Sequence, residues 1–365
     1  MKKCQILLFG ASAMLAGHGA AAALTALTTF GGGDGFLSPA ENAFFAAGDN
    51  TRGMAYNPAT NSVVVVSRAG ASGSGVIIDP TGAQTATLNT TGITGGTVTL
   101  GPIGIDNNGV LYASNIASPV TAGLKVYRWA DQTAAPTVVF SSTTITTGRM
   151  GDNLAVFGSG TSTKVALGES ASSGSGARNS FAVLSTTDGS TFTGQLVTFN
   201  APSAIPVAAS FQRGITFLDG DTLIGTIGTA GGNMTIADFN GSAVGTVVDT
   251  NPQTSASERL MDVASIGGTN YLATLDSSNS TVRIYNYADP ANPILEVTAP
   301  YAGVTATNTN ATGGVAWGAI GSDSATLYAL NTNTGLFAYT FQVPEPSSIV
   351  LGGLAAGMLM RRRRN

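Results

Sequence analysis

A strand, turn and strand unit recurs six times along the 365-residue chain. Each copy begins with a glycine or methionine, continues as a short apolar run and, after a polar turn, ends in a second apolar run. The first copy reads Gly53-Met54-Ala55-Tyr56 and then 63–66, and the last reads Gly314-Val315-Ala316-Trp317 and then 327–330. The copies start near residues 53, 104, 151, 214, 262 and 314, which are 47 to 63 residues apart. This spacing fits one four-stranded antiparallel unit per repeat, and stacked repeats bury a core that no single repeat can bury alone.

The rest of the body also indicates strands. Third strands are predicted at 75–79, 124–129, 180–184, 233–239, 281–287 and 335–341, with fourth strands at positions such as 137–140, 195–199 and 294–298. No stretch of ten residues in the body has helical apolar periodicity. We therefore predict an all-β fold, a six-bladed β-propeller, with seven blades or a pair of β-sandwiches as alternatives. A strand at 24–30 could complete the last repeat and close the ring.

The amino terminus has the three parts of a secretory signal peptide. Met1-Lys2-Lys3 is basic, 6–15 is apolar, and Ala20 to Ala23 offers small residues for cleavage before Leu24. Cys4 precedes the apolar run, whereas a lipobox cysteine would follow it. We therefore assign 1–23 to a signal peptide read by the Sec translocon and 24–342 to the propeller-like body.

The carboxyl terminus, 343–365, has three elements in a fixed order. A motif at 343–347 contains Val343, Pro344, Glu345 and Pro346; an apolar segment at 349–360 includes Ile349, Leu351, Leu354 and Met360; and Arg361, Arg362, Arg363 and Arg364 end the chain before Asn365. A helix of 12 residues is about 18 Å long against a hydrocarbon core of about 30 Å, so it is a marginal membrane anchor. The arginines place the tail end in the cytoplasm and the body across the membrane.

These three elements closely resemble the PEP-CTERM sorting signal. The resemblance implies that exosortase, a membrane processing enzyme of Gram-negative bacteria that make exopolysaccharide, recognises the segment and cleaves it near 344–346. It further implies transient anchoring in the inner membrane, followed by delivery to the outer surface or the extracellular matrix of a biofilm. An ordinary tail anchor is the alternative interpretation.

Removal of both ends limits the chemistry that the body can perform. The single histidine and the single cysteine, His18 and Cys4, lie in the leader. Between Leu24 and Val343 there are 10 Lys and Arg against 19 Asp and Glu, a net charge of about −9. The body therefore lacks Ser-His-Asp and Cys-His sites and the ligands that zinc, copper or haem would need. Its acidity also argues against nucleic-acid binding.

Three kinds of site remain open. Paired carboxylates could be drawn from Glu41, Glu169, Glu258, Glu296 and the 15 aspartates, and Asp106, Asp219 and Asp221 could ligate Ca²⁺ or simply form turns. Aromatic residues could form a sugar-stacking surface, although their placement within strands favours core packing. The aromatic candidates are Trp129, Trp317, Tyr112, Tyr127, Tyr285 and Tyr328. We expect no cofactor, Ca²⁺ being the one ion considered.

The favoured function is a non-catalytic exported scaffold or a glycan- or protein-binding propeller, with exopolysaccharide as a candidate partner. The alternative is an extracellular carboxylate- or Ca²⁺-dependent hydrolase or lyase that acts on exopolysaccharide. Three or more carboxylates in a central channel would favour the enzyme, and a channel mouth of Thr, Ser and Gly would favour the binding protein.

Overall fold

The computed structural model describes residues 21–46, 48–170, 180–199, 211–226, 233–252, 254–255, 257–300, 308 and 310–343. Most of the signal peptide assigned to 1–23 lies outside the described residues. So does the sorting segment beyond Val343, including the helix expected at 349–360. No helix in the described ranges is long and apolar enough to cross a membrane.

The described body is all-β, as the sequence predicts, and its helical residues occur in short 3-10 turns at Gly31–Gly33, Ala43–Phe45, Val120–Ala122 and Gly160–Ser162. The strands in chain order are β1 Ala23–Ala26, β2 Phe36–Leu37, β3 Thr51–Asn57, β4 Ser62–Ser67, β5 Ser74–Ile78, β6 Gln84–Thr87, β7 Ile103–Ile105, β8 Leu111–Ser114, β9 Leu124–Trp129, β10 Thr137–Ser142, β11 Arg149–Met150, β12 Ala155–Phe157, β13 Lys164–Ser170, β14 Ser180–Thr186, β15 Phe192–Phe199, β16 Gly214–Phe217, β17 Thr222–Thr226, β18 Asn233–Asp238, β19 Val244–Pro252, β20 Glu258–Ile266, β21 Thr269–Asp276, β22 Thr281–Asn286, β23 Ile294–Pro300, β24 Gly313–Ile320, β25 Ser324–Asn331 and β26 Gly335–Gln342.

Within the described residues these strands form five sheets in a propeller-like arrangement. Four are antiparallel blades: β3 to β6, β7 to β10, β20 to β23, and β24 to β26 with β1. The fifth sheet has nine strands, in which the meander β13-β14-β15 meets the meander β16 to β19. The two meanders are joined by a short parallel pairing of β15 with β19, at Thr198↔Val244 and Phe199↔Gly245.

The amino-terminal strand closes the last blade. β1 pairs antiparallel with β26 from Ala23↔Gln342 to Ala26↔Tyr339, and β2 continues the same edge at Phe36↔Phe337. The predicted pairing of the first strand with the last repeat is confirmed. The strand is shorter than the expected 24–30, because the chain turns at Phe30, whose N–H donates to the Leu27 carbonyl.

The core is divided into clusters that lie between sheets consecutive in the chain. One cluster joins Val63 and Val65 of β4 to Tyr328 and Leu330 of β25, and so packs the first blade against the last. The other clusters connect each unit to the next in the same way. Apolar packing thus runs around the whole body.

One predicted inner strand is wrong. The third repeat was expected to start with a strand at Gly151-Asp152-Asn153-Leu154, but the structure has β11 before this segment and β12 after it. Gly151 has a φ of +95°, and the Asn153 side chain bonds the Phe211 carbonyl and the Gly168 N–H. These side-chain bonds to other segments of the same polypeptide replace the strand ladder at this point.

Candidate functional site: an arginine-lined channel mouth

The first strands of the blades surround a central channel that contains two cavities. The cavity at the mouth has a volume of about 110 Å³ and is reached where the inner strands begin. The second, about 560 Å³, lies towards the ends of the same strands. β3, β16, β20 and β24 all run from the mouth towards the larger cavity.

A ring of six apolar side chains lies between the two cavities and lines both of them: Met54, Ile103, Leu154, Ile215, Met261 and Val315. Each comes from a different sequence repeat. The ring gives the mouth an apolar floor, on which electrostatic interactions are stronger than in water.

Four arginines line the mouth: Arg52, Arg149, Arg213 and Arg259. Only one acidic side chain, Asp152, lines the mouth among the described residues. The mouth therefore gathers four of the 10 basic residues of an acidic body.

Two of these arginines occupy β-bulges. The β3–β4 register shifts between Thr51 and Gly53, and the β20–β21 register shifts between Glu258 and Leu260, so Arg52 and Arg259 are the extra residues. A bulged residue leaves the ladder and its side chain is redirected. This local irregularity explains how a residue at the start of an inner strand comes to line the channel.

Close contact between the inner strands β16 and β20 fixes the position of Arg213. A Cβ on Gly214 would lie 2.0 Å from the Arg259 carbonyl oxygen, so only glycine lets β16 approach β20 at this level. Arg213 immediately precedes Gly214, and its N–H donates to the Thr226 carbonyl. Arg213 and Arg259 are consequently near enough to lower the pKa of Arg259 by repulsion, after the larger effect of burial.

Arg149 is the neutralised member of the group. Its Nε and Nη2 donate to the two carboxylate oxygens of Asp152 at 2.6 and 2.5 Å, a bidentate pair. This hydrogen bonding raises the pKa of Arg149. Both side chains are mostly buried, with 24% and 11% of their surfaces exposed.

Arg52 is the most buried member and the least well paired. It is 7% exposed, and its Nε has no hydrogen-bond acceptor among the described residues. Burial, followed by repulsion from Arg68, lowers the pKa of Arg52 to about 10. The fold thus holds a positive charge at the mouth that its own side chains do not fully compensate.

The larger cavity contains two carboxylates. Asp262 accepts hydrogen bonds from the main-chain N–H groups of Trp317 and Val263, each at 2.9 Å, and burial raises its pKa to about 6. Asp106 is 2% exposed; its Oδ1 accepts from Asn108 and Val110, while its Oδ2 has no partner among the described residues. No cluster of three or more His, Cys, Asp or Glu suited to a metal occurs in the described part of the chain.

The carboxylates proposed from sequence are dispersed. Asp219 bonds the N–H groups of its own turn, and Asp221 pairs with Lys164 Nζ at 2.9 Å. Glu169 is buried and accepts hydrogen bonds from Thr146 and Ser180. Glu258 is fully buried.

The remaining two glutamates do not extend a site. Glu41 accepts hydrogen bonds from Ser38 in an exposed turn. Glu296, on the outer strand β23, accepts a hydrogen bond from Asn286.

The aromatic side chains suggested as a sugar-stacking surface are core residues instead. Each is 7% exposed or less: Trp129, Trp317, Tyr112, Tyr127, Tyr285 and Tyr328. Trp129 Nε1 donates to the Asn89 carbonyl and the Tyr127 hydroxyl to the Thr94 carbonyl, so their polar atoms serve packing between blades. The predicted surface is absent from the described face because these rings fill the space between sheets.

The chain leaves the body on the face opposite the arginines. Gly313 at the start of β24 lines the mouth, whereas Ile320 at its end lines the larger cavity. Gln342 pairs with Ser324 and with Ala23, which places Ala23 and Gln342 at the level of Ile320. Val343 is the last described residue, and its N–H donates to the Asp323 carbonyl. Pro344, Glu345, Pro346 and the segment after them lie outside the described residues.

The arginine mouth was not among the sites predicted from the sequence. Its signal is the residue just before each repeat start, in Arg52-Gly53-Met54, Arg213-Gly214-Ile215 and Arg259-Leu260-Met261. Aligning the repeats by their inner strands would have placed these arginines at one level of a ring. The structure matches neither the carboxylate cluster nor the Thr, Ser and Gly mouth that were considered.

Residues 342–364 match the PEP-CTERM protein-sorting motif. A comparison with curated proteins gives no match.

Several solved structures share the fold of the body. A DUF4623 family protein from Bacteroides eggerthii is 16% identical, with 84% of this chain and 73% of that chain covered and a TM-score of 0.61. An arginine-substituted mutant of AofleA from Arthrobotrys oligospora is 10% identical, over 81% and 85% of the two chains, with a TM-score of 0.51. A calcium-binding protein, regucalcin, from Agrobacterium tumefaciens is 12% identical, over 81% and 90%, with a TM-score of 0.50.

At these identities the similarity shows the fold alone. The sorting motif is a separate finding that concerns the end of the chain. This chain therefore consists of an all-β, propeller-like body that is followed in the sequence by a PEP-CTERM protein-sorting motif at residues 342–364.

Proposed function

We propose that this chain is an exported binding protein, processed by exosortase, whose body binds a ligand at the arginine-lined mouth without transforming it. The observation that carries the proposal is that the described chain ends on one face of the body and the arginine-lined mouth opens on the opposite face. Gln342 and Val343, the first two residues of the sorting motif, lie on one face, and the four arginines line the mouth on the other. A body tethered through its tail would present the mouth away from the membrane.

In this proposal the body is a six-bladed propeller. Support comes from the six-membered apolar ring, with one residue from each repeat, and from the clusters that link successive units. The nine-stranded sheet is then two blades whose outer strands touch through the short parallel pairing of β15 with β19. Closure by β1 leaves the last blade with a complete outer strand.

The proposal of a non-catalytic body rests on the side chains that the mouth offers. Arginines bind and orient anions, but with a pKa above about 12 they rarely exchange protons near neutral pH. The lowered pKa of Arg52, about 10, still leaves it charged at pH 7. Asp152, the one carboxylate there, is held by Arg149.

The export half is tested in cells with and without exosortase. Antiserum against the body follows the chain through inner membrane, outer surface and medium. With exosortase, we expect a shortened protein outside the inner membrane. Without it, or after joint replacement of Pro344, Glu345 and Pro346 by alanine, the longer form should stay in the inner membrane.

Ser322→Ala, at an exposed position outside residues 342–364, is the matched control and should be processed normally. Unchanged size and location in the motif variant and in the exosortase-deficient cells would refute processing by this route.

A second candidate, a carboxylate-dependent hydrolase or lyase, is favoured by one observation. Asp106 and Asp262 both line the larger cavity, one with an unpartnered oxygen among the described residues and the other with a pKa raised to about 6. Incubation with the cell's own exopolysaccharide tests it. Depolymerisation by the wild-type chain that is lost in Asp262→Asn would establish the enzyme and reject the non-catalytic proposal.

A further inference from the structure

The mouth combines features that define the ligand more closely. The body is acidic overall, yet four arginines line this one cavity against a single aspartate. Charges of one sign inside a low-dielectric cleft focus the local potential and attract ions of the opposite sign. The ligand that suits the mouth is therefore an anion.

Arg52 gives independent support for a ligand. It is 93% buried, as only 7% of its surface is exposed, and its Nε lacks an acceptor in the described part of the chain. A buried donor on a charged group costs free energy unless an acceptor completes it. Because Arg52 lines the mouth cavity, an oxygen of a bound anion can be that acceptor.

The dimensions and the floor of the cavity restrict what carries the anionic group. About 110 Å³ is well below the roughly 300–1,000 Å³ of sites for drug-sized ligands. The mouth therefore accepts an acidic group with a small ring, and its apolar floor of Met54, Ile215 and Met261 suits the C–H face of that ring.

The polar rim indicates hydroxyl groups on the same ligand. Asn310 lines the mouth together with the arginines, and its amide can bond a ligand hydroxyl. Inorganic phosphate has neither ring hydroxyls for this rim nor a C–H face for the apolar floor.

We propose that the arginine-lined mouth binds the carboxylate of a sugar acid, presented by an anionic extracellular glycan. In the bound state the carboxylate lies among Arg52, Arg213 and Arg259, whose planar guanidinium groups match it in shape and charge. The inference rests on the proposed function, because export would bring the mouth into contact with extracellular glycans.

Calorimetric titration of the full chain, purified in detergent, tests the inference with defined probes. Galacturonate should bind, and galactose, which differs only in lacking the carboxylate, should bind at least about tenfold more weakly. Inorganic phosphate should also bind more weakly than galacturonate. Trigalacturonate should bind at least as tightly as the monomer if a glycan is the natural source.

The variants Arg52→Met and Arg213→Met should each weaken galacturonate binding by about 10- to 100-fold, as expected for the loss of a charged hydrogen-bond partner. Lys164→Met removes the same charge at the exposed pair with Asp221, outside the mouth, and should leave the affinity unchanged. Thermal denaturation of each variant shows that it is folded.

Failure of the wild-type chain to bind galacturonate would overturn the inference, as would equal binding of galactose or full affinity in both Arg52→Met and Arg213→Met. Phosphate binding as tightly as galacturonate would overturn the sugar assignment, and exclusion of trigalacturonate would overturn the glycan source. None of these results depends on export. A chain that is processed normally but does not bind therefore refutes this inference and leaves the export half of the proposed function standing.

Discussion

Replacement of Arg52 by methionine should stabilise the unliganded protein. Methionine is about as long as the arginine stem, so it fills similar space without the charge. Burial lowers the pKa of Arg52 from 12.5 to about 10. At about 1.4 kcal/mol per pKa unit, holding the side chain charged in the folded state costs about 3 kcal/mol.

Part of that gain will be offset by lost contacts of the guanidinium. We therefore expect a net increase of about 1–3 kcal/mol in the free energy of unfolding, which corresponds to about 1.5–4.5 °C in Tm for a chain of this size. Differential scanning calorimetry and urea denaturation at pH 7 without ligand measure both quantities. Lys164→Met, at an exposed ion pair, should change Tm little.

The sign of the pH dependence is a further check. A base with a lowered folded pKa destabilises the fold while it is charged, and the penalty fades as pH rises from about 10 towards 12.5. The stability advantage of Arg52→Met should thus be constant from pH 7 to 9 and shrink above pH 10. A lower Tm for the variant at pH 7 would refute the reasoning, because it would mean that the buried charge is fully compensated without a ligand.

Three other changes test the fold and the cavities. Arg283→Met should lower the free energy of unfolding by about 3–5 kcal/mol in urea titrations, because Arg283 lies 3.8 Å from the buried Glu258 and 3.7 Å from the buried Asp276; a loss under 1 kcal/mol would contradict this. Thr25→Pro should lower Tm more than Ala26→Pro, since the Leu27 N–H donates to β26 and alternation assigns the Thr25 N–H to the same ladder; equal effects would show that closure by β1 contributes little. Asp262 has a pKa raised to about 6, so wild type should lose stability relative to Asp262→Asn as pH rises from about 4 to 6, and a difference that stays flat in denaturation curves over that range would argue against its burial.

Much of the fold could be predicted from the sequence because repeats report on tertiary structure. A run of four consecutive valines between turn residues located β4, expected at 63–66 and observed at Ser62–Ser67, and the spare amino-terminal strand indicated closure with the last repeat. The third inner strand failed because its interruption depends on the Asn153 side chain bonding Phe211 and Gly168. Such partners are distant in sequence and leave no periodic signal.

The candidate site was less accessible to sequence reasoning. Single arginines separated by tens of residues form no motif, and their convergence depends on β-bulges at Arg52 and Arg259. The aromatic residues left both interpretations open, since Trp129 and Tyr127 have polar atoms that suit a ligand, but these atoms find partners within the core, as their placement in strands favoured. Burial of a side chain is a property of the assembled ring rather than of its own strand.

The intact mass of the protein recovered from the cell surface or medium shows whether the chain is exported and processed. We expect a chain that begins at Leu24 and ends near Pro344 to Pro346, without the apolar segment or the terminal arginines. Recovery of a chain that still carries Arg361 to Arg364 would contradict it.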